Sequence, residues 1–126
     1  MNFGKAIFSL LNNSLGSQVD GDIYPNIAPQ SASLPYIVYS LTGTSPQNTK
    51  DAPATAQLVD IQVDIVGKSF EKVVNLAKDV RTALERSSFS DTDVEVDDIA
   101  YISANSDFQE GQEIQRYILE FQMFVK

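Results

Sequence analysis

Two stretches of the chain place apolar residues at three- and four-residue steps. This spacing over residues 3–15 and 69–86 puts the apolar side chains on one face of an α-helix. Ser69 can cap the second helix by accepting a hydrogen bond from a free backbone N–H, and Glu71 suits the positive end of the helix dipole. The predicted buried positions are Phe3, Ile7, Leu10, Leu11 and Leu15 in the first helix and Phe70, Val73, Val74, Ala77, Val80 and Leu84 in the second.

Other stretches follow the period of two that is typical of β-strands. The clearest covers residues 57–66, where apolar and polar side chains alternate strictly, and a second closes the chain at 116–125. Residues 34–41 are apolar on both faces, which favours a central strand or one covered by a partner. Ile23 and Tyr24 form a short candidate strand ahead of them.

A further strand over residues 93–103 contains a change of phase. Val94 and Val96 set one alternation, whereas Ile99 and Tyr101 set the opposite one. One extra residue in a strand reverses its side-chain alternation, so we predict a bulge at Asp97 and Asp98.

The segments between these elements complete the predicted fold. Residues 43–56 contain Pro46, Pro53 and many small polar residues, and we expect a long flexible loop that caps an antiparallel hairpin. Residues 104–113 are expected to form a polar loop. The order of elements predicts an α+β fold in a single domain, residues 1–126, with a mainly antiparallel sheet of four to five strands and two helices packed on one face.

The composition removes several classes of function. The 126 residues include no cysteine and no histidine, which excludes thiol nucleophiles, cysteine-bound zinc and the commonest general base. The net charge of -8 disfavours binding to free nucleic acid, because neutralising phosphates requires clustered Lys and Arg. No segment is long and apolar enough to span a bilayer, and we expect no membrane partner.

Two groups of carboxylates remain as candidate chemical sites. Asp91, Asp93, Glu95, Asp97 and Asp98 form the first group, here called the acidic run. It lacks the glycine turn and the bidentate Glu of a calcium loop. The alternation of the strand indicates instead that these side chains face solvent. Asp60 and Asp64 lie on one strand face about 13 Å apart at ~3.3 Å per residue, which is too far for a pair that acts on one glycosidic bond. We therefore predict a non-enzymatic protein with no catalytic residues, no metal and no cofactor.

A proline-framed motif precedes the central strand. Each proline fixes its own φ and pushes the preceding residue away from helix, so the motif holds this part of the chain extended. Its sequence resembles the signature of the phage tail-completion family, which includes tail-to-head joining proteins and is similar in fold to the tail terminators of lambda-like phages. The resemblance continues through the strand at 57–66, the helix end around Val80 and Arg81, and the closing strand. The motif residues are Tyr24, Pro25, Pro29, Gln30, Pro35 and Tyr36.

The resemblance implies a structural protein of the virion. Members of this family form a ring, commonly of six subunits, on the last ring of tail tube protein; they stop tube growth and join the tail to the head connector or neck protein. DNA is expected to pass through the lumen without sequence-specific binding. Assembly is expected in the host cytoplasm. A purely structural role of the motif and a role in contacts remain equally open.

Two surfaces are candidates for these contacts. The charges are segregated, so we hypothesise that Lys72, Lys78 and Arg81 of the second helix meet the acidic run of a neighbouring subunit. The loop at 43–56 is the second candidate and is expected to order against tube, connector or neighbour. Its candidate contact residues are Thr44, Gln47, Asn48, Lys50 and Asp51.

The alternative is a protein that acts without forming a ring. A monomeric binding module or assembly chaperone could pair an exposed sheet edge with an extended peptide. Such a protein would remain a monomer at high concentration.

Overall fold

The computed structural model describes residues 3–15, 22–28, 34–46, 57–90, 95–109 and 114–125. Within these ranges the chain forms two helices and six strands. In chain order the elements are α1 (Phe3–Leu15), β1 (Ile23–Pro25), β2 (Tyr36–Pro46), β3 (Gln57–Gly67), α2 (Phe70–Leu84), β4 (Phe89–Ser90), β5 (Glu95–Gln109) and β6 (Ile114–Val125).

The described strands make one mixed sheet in the order β1-β2-β3-β6-β5-β4. Strand β1 runs parallel to β2, and every other neighbouring pair is antiparallel. The α+β class is confirmed, but the prediction of four to five strands missed β4 and the parallel pairing of β1. Strand β4 has two residues, too few to show an alternation, and the direction of pairing depends on where the chain returns rather than on periodicity.

One face of the sheet, here called the inner face, packs against both helices. Its side chains and the apolar stripes of α1 and α2 form one core. The core is built around the central pair β3 and β6, whose alternation predicted which side chains would be buried. The buried residues of the inner face are Ile37, Tyr39, Val59, Ile61, Val63, Ile65, Val96, Ile99, Leu119, Phe121, Met123 and Val125.

Both predicted helices are present. The hydroxyl of Ser69 accepts a hydrogen bond from the backbone N–H of Lys72 at 3.4 Å, which confirms the predicted cap. The predicted burial of Phe70 is wrong, since its side chain is 56% exposed and Leu76 is buried instead. Phe70 is the first residue of α2, where helical periodicity alone does not decide burial. Neither described helix is long and apolar enough to cross a membrane.

Strand β5 is longer than predicted. The register against β6 shifts between Val96 and Asp98, which confirms the predicted bulge, and shifts again between Tyr101 and Ser103. The expected polar loop at 104–113 is wrong for residues 104–109, which continue the strand. Backbone hydrogen bonds to β6 hold this polar stretch, and a strand near the edge of a sheet tolerates polar side chains.

Strand β2 also extends past its predicted end. The antiparallel hairpin between β2 and β3 is confirmed, but residues 43–46 belong to the strand rather than to a loop. A bulge between Leu41 and Gly43 reverses the alternation there, which obscured the strand in the sequence. The candidate Thr44 consequently lies in β2 opposite Val59. Residues 47–56 lie outside the described residues.

Gly67, the last residue of β3, lies in close contact with Val73 of α2. A Cβ at this position would lie 2.9 Å from Cγ2 of Val73 and 3.6 Å from Cβ of Pro35. At Gly43 the nearest contact would be Oδ2 of Asp60 at an ordinary 3.5 Å. The short link from β3 into α2 therefore depends on glycine at position 67.

We expect Gly67→Ala to lower the free energy of unfolding by about 1 to 3 kcal/mol, because the added methyl overlaps a buried branched side chain. Gly43→Ala is the matched control and should change it by less than about 0.5 kcal/mol. Urea unfolding followed by circular dichroism measures both. Equal stabilities for the two variants would contradict the close packing described at Gly67.

Candidate interaction surfaces

The sheet face turned away from the helices, here called the outer face, is the first candidate surface. Neither described helix packs on it, and most of its side chains are partly exposed. Apolar side chains lie at both ends of the face, with a polar band between them. Its residues in β2, β3 and β6 are Tyr36, Val38, Ser40, Leu58, Asp60, Gln62, Asp64, Val66, Arg116, Ile118, Glu120, Gln122 and Phe124.

Side-chain hydrogen bonds fix the positions of the groups in this polar band. Two of them join neighbouring strands, and one lies within β3. Gln122 donates to Asp60 at 3.3 Å, Gln62 to Asp64 at 3.0 Å, and Ser103 to Glu120 at 3.0 Å. Each of the three carboxylates therefore has a neutral donor, and Asp64 also lies 3.9 Å from the guanidinium of Arg116. With three carboxylates against one arginine, the band keeps a net negative charge. Asp60 and Asp64 thus accept hydrogen bonds from different glutamines. The described part of the chain holds no group of three or more potential metal ligands.

The proline-framed motif builds one end of the outer face. The rings of Tyr24 and Tyr36 meet edge to face with centroids 6.3 Å apart. The hydroxyl of Tyr24 donates to Asp22 at 2.9 Å, and this hydrogen bond is the main reason that the pKa of Tyr24 is raised. Pro25 ends β1, and the bond between Leu34 and Pro35 is cis. Pro29 and Gln30 lie outside the described residues.

A shallow pocket of about 280 Å³ lies beside this motif. The chain leaves β1 through Asn26, which adopts a positive φ of 66° and donates its backbone N–H to the carbonyl of Tyr39. This turn places residues 26–28 at the rim of the pocket, where Ile27 is highly exposed. Tyr36 of the motif thus lines an accessible pocket that also contains the charged side chains of Asp64 and Arg116. The lining residues are Asn26, Ile27, Ala28, Tyr36, Val38, Asp64, Val66, Ile114 and Arg116.

The three basic candidates on α2 lie on two different flanks of the helix. Lys72 borders a groove with Ser69, Glu71, Asn75 and Leu76. The other two candidates, Lys78 and Arg81, border a separate groove next to Tyr101 of β5 and Tyr117 of β6. The structure therefore does not bring the three side chains together into one basic patch.

Arg81 is held by contacts within the chain. Its Nε lies 2.7 Å from Oε2 of Glu85, and its guanidinium carbon lies 4.0 Å from the ring centroid of Tyr101. The hydrogen bond from Arg81 is the main cause of the lowered pKa of Glu85. The Tyr101 ring in turn packs edge to face on Phe121, at 5.8 Å between centroids. Arg81 consequently joins α2 to the edge of the core.

The acidic candidates are only partly free for a neighbour. Asp98 accepts a hydrogen bond from Arg86 of the same chain at 2.7 Å, whereas Glu95 and Asp97 are exposed. Asp91 and Asp93 lie outside the described residues, as do the loop candidates Gln47, Asn48, Lys50 and Asp51.

The sequence did not indicate which strand segments form the free edges of the sheet. Strand β1 covers only residues 37–39 of β2, and β4 covers only Glu95 and Val96 of β5. In the described structure, residues 40–46 of β2 and 100–109 of β5 have no strand on their outer side. Leu41, 39% exposed, and Ile102, 56% exposed, lie on these edges. Only the pairing in the fold reveals them, because both lie beside bulges that break the alternation.

Comparison with known proteins shows that solved structures share this fold. No curated protein sequence matches the chain. A solved chain described as "Virion of native gene transfer agent (GTA) particle" superposes with a TM-score of 0.81 at 15% identity, covering 98% of this chain and 93% of that chain. A second solved structure, whose name carries no functional description, gives a TM-score of 0.57 at 11% identity over 98% and 95% of the two chains. At these identities both likenesses show a shared fold.

The family comparison extends from the first helix to the last strand. The family model described as "Tail completion protein gp17" matches residues 5–126, so it includes the proline-framed motif, the hairpin and both long terminal strands. The chain therefore belongs to the tail completion protein gp17 family of phage tail structural proteins.

Proposed function

We propose that the protein is a tail terminator: a subunit of a ring that sits on the end of the tail tube, stops its growth and joins it to the head connector. The observation that carries this proposal is the family match over residues 5–126. The likeness of fold to a chain from a gene transfer agent virion supports it over nearly the whole chain. On this proposal the protein is assembled in the host cytoplasm and resides at the junction of tail and head.

The distribution of free surfaces fits a ring subunit. In a closed ring each subunit contacts the next head to tail, so one lateral surface must fit a different lateral surface of its neighbour. The subunit also needs two axial faces, one on each side of the ring. The two free edges lie on opposite sides of the sheet and differ in sequence, so they meet the first requirement. The ends of the strands and the connections between them supply the axial faces.

The acidic band of the outer face suits the wall of a channel that carries DNA. Helices cover the inner face, so the outer face is the one available to line a lumen. Six copies with a net charge of -8 each would carry about -48, and a negative wall repels the phosphate backbone. On the outer face the carboxylates of Asp60, Asp64 and Glu120 outnumber the guanidinium of Arg116, so DNA would pass without sequence-specific binding.

A specific observation also favours the alternative function. The free edges of β2 and β5 could each accept an extended peptide as an added strand, as expected of a monomeric binding module or assembly chaperone. The two functions differ in oligomeric state, so the mass in solution separates them.

We expect light scattering behind gel filtration to give a mass of about six times 13.9 kDa at high protein concentration. The mass should fall towards that of one chain on dilution if lateral contacts are weak. A single-chain mass at every concentration would instead favour the monomeric module.

The contact between the basic residues of α2 and the acidic run of a neighbouring subunit remains a proposal. Because Lys72 lies on a different flank of α2 from Lys78 and Arg81, we place the contact on the flank of Lys78. We expect Lys78→Glu to lower the fraction of assembled protein more than Lys72→Glu, because Lys78 lies on the flank beside β5. The two variants change the net charge equally, so each controls for the other. Equal masses for both variants and the unmodified chain in light scattering would refute a charged contact through α2.

The segment between β2 and β3 is the proposed contact with tube, connector or neighbour. Pro46 and Gln57 are the last paired residues of the hairpin within the described part of the chain, so an Asn-Gly turn in place of residues 47–56 can close it. We expect this variant to keep the unfolding temperature within a few degrees but to fail in joining tails to heads. Complementation of particles that lack the protein, scored by electron microscopy, measures joining. Normal finished particles would rule this segment out as the contact.

A further inference from the structure

We propose that successive copies of this chain join edge to edge, with residues 40–46 of β2 in one copy pairing with residues 100–109 of β5 in the next. The inference rests on the proposed ring and names the surface that closes it. The partner is a second copy of the chain, and the contact is a continuation of the sheet.

The strand directions are compatible with this contact. From β2 through β3 and β6 to β5 the neighbours alternate in direction, so β2 and β5 run in opposite directions at the two edges. When a copy is repeated head to tail, its β5 therefore lies antiparallel to β2 of its neighbour. Antiparallel pairing is the more stable of the two arrangements, and no subunit needs to be inverted.

Backbone groups on both edges point outward. The N–H of Ile37 and the carbonyl of Tyr39 bond on the β1 side of β2, so by alternation the backbone groups of Leu41 also point away from β3. On β5, the carbonyl of Ile99 accepts the N–H of Arg86 from outside the sheet, so those of Tyr101 point outward as well. An added strand would supply partners for these groups.

Exposed apolar side chains are also present on both edges. Among the described residues, Leu41 and Ile102 are the exposed large hydrophobic residues of the sheet, and one lies on each edge. Leu41 and Tyr101 belong to one row across the sheet, through Ile61 and Phe121. Pairing of the edges covers apolar surface that the single chain leaves in water.

The positions of β1 and β4 set the offset between copies. Strand β1 occupies the start of β2, and β4 occupies the start of β5, so the two free segments lie at different heights along the strands. Pairing them displaces each copy along the strand by roughly four residues, or about 13 Å. Over the four long strands this is about one residue per strand, the stagger that accompanies a tilt of about 36° in closed barrels. An offset of this size is therefore compatible with a closed ring of tilted strands.

Cysteine crosslinking tests the contact, because the chain has no cysteine of its own. Thr44→Cys on the β2 edge is combined in one chain with Ile102→Cys, Ala104→Cys or Ser106→Cys on the β5 edge. We expect at least one combination to give a ladder of covalent oligomers on oxidation, and the combination that reacts reports the register. A mixture of the two single variants should stop at covalent dimers, because each has only one reactive edge.

The matched control replaces the second cysteine with Phe70→Cys, since Phe70 and Ile102 are both 56% exposed but Phe70 lies on α2. This control should give no ladder. Ile102→Lys should in addition weaken self-association about tenfold, because a charge on an edge strand opposes pairing, whereas Phe70→Lys should not.

Absence of crosslinks in all three combinations, or an equal ladder from the Phe70→Cys control, would overturn the edge contact. If the unmodified chain still forms a ring by light scattering, the proposed function stands and only the edge contact falls. If the chain is a monomer and gives no crosslink, the edge contact also falls, and complementation of tail assembly then decides the function separately.

Discussion

The packing of α1 and α2 on the inner face of the sheet is the interaction on which the rest of the structure depends. Strands β3 and β6 carry the strictest alternation of the chain, and their inward side chains are almost completely buried beneath the helices. With both helices on one side, the outer face and the strand edges remain for other molecules. The same packing that stabilises the chain thus decides which surfaces can take part in assembly.

Bulges determine the character of the two edges. The extra residue near Leu41 in β2 and those near Asp97 and Ile102 in β5 each interrupt the alternation of an otherwise long strand. Bulges increase local twist and are common at sheet edges, where they discourage uncontrolled pairing. In this chain the exposed apolar side chains of Leu41 and Ile102 lie beside these bulges.

The charge pattern has a larger role within the chain than its segregation indicated. Arg81 binds Glu85 and covers Tyr101, and Arg86 binds Asp98, so two of the basic residues at the end of α2 already have acidic partners at hand. These pairs are exposed, and exposed pairs contribute little to stability. The contacts of Arg81 with Tyr101 and of Arg86 with Asp98 link the end of α2 to β5, while Lys78, Glu95 and Asp97 stay exposed.

The sequence by itself determined both helices, the cap at Ser69, the bulge at Asp97 and the family, because each depends on local periodicity or on a short motif. Only the tertiary structure decided that β1 runs parallel to β2, that residues 104–109 extend β5, that Phe70 is exposed and that Lys72 is separated from Lys78 and Arg81. These features arise from pairing between residues distant in the chain and from the angle at which a helix meets the sheet. The local alternation of side chains does not determine the pairing or the angle. The same pattern can pair in a parallel or an antiparallel direction, and the strand can end at several positions.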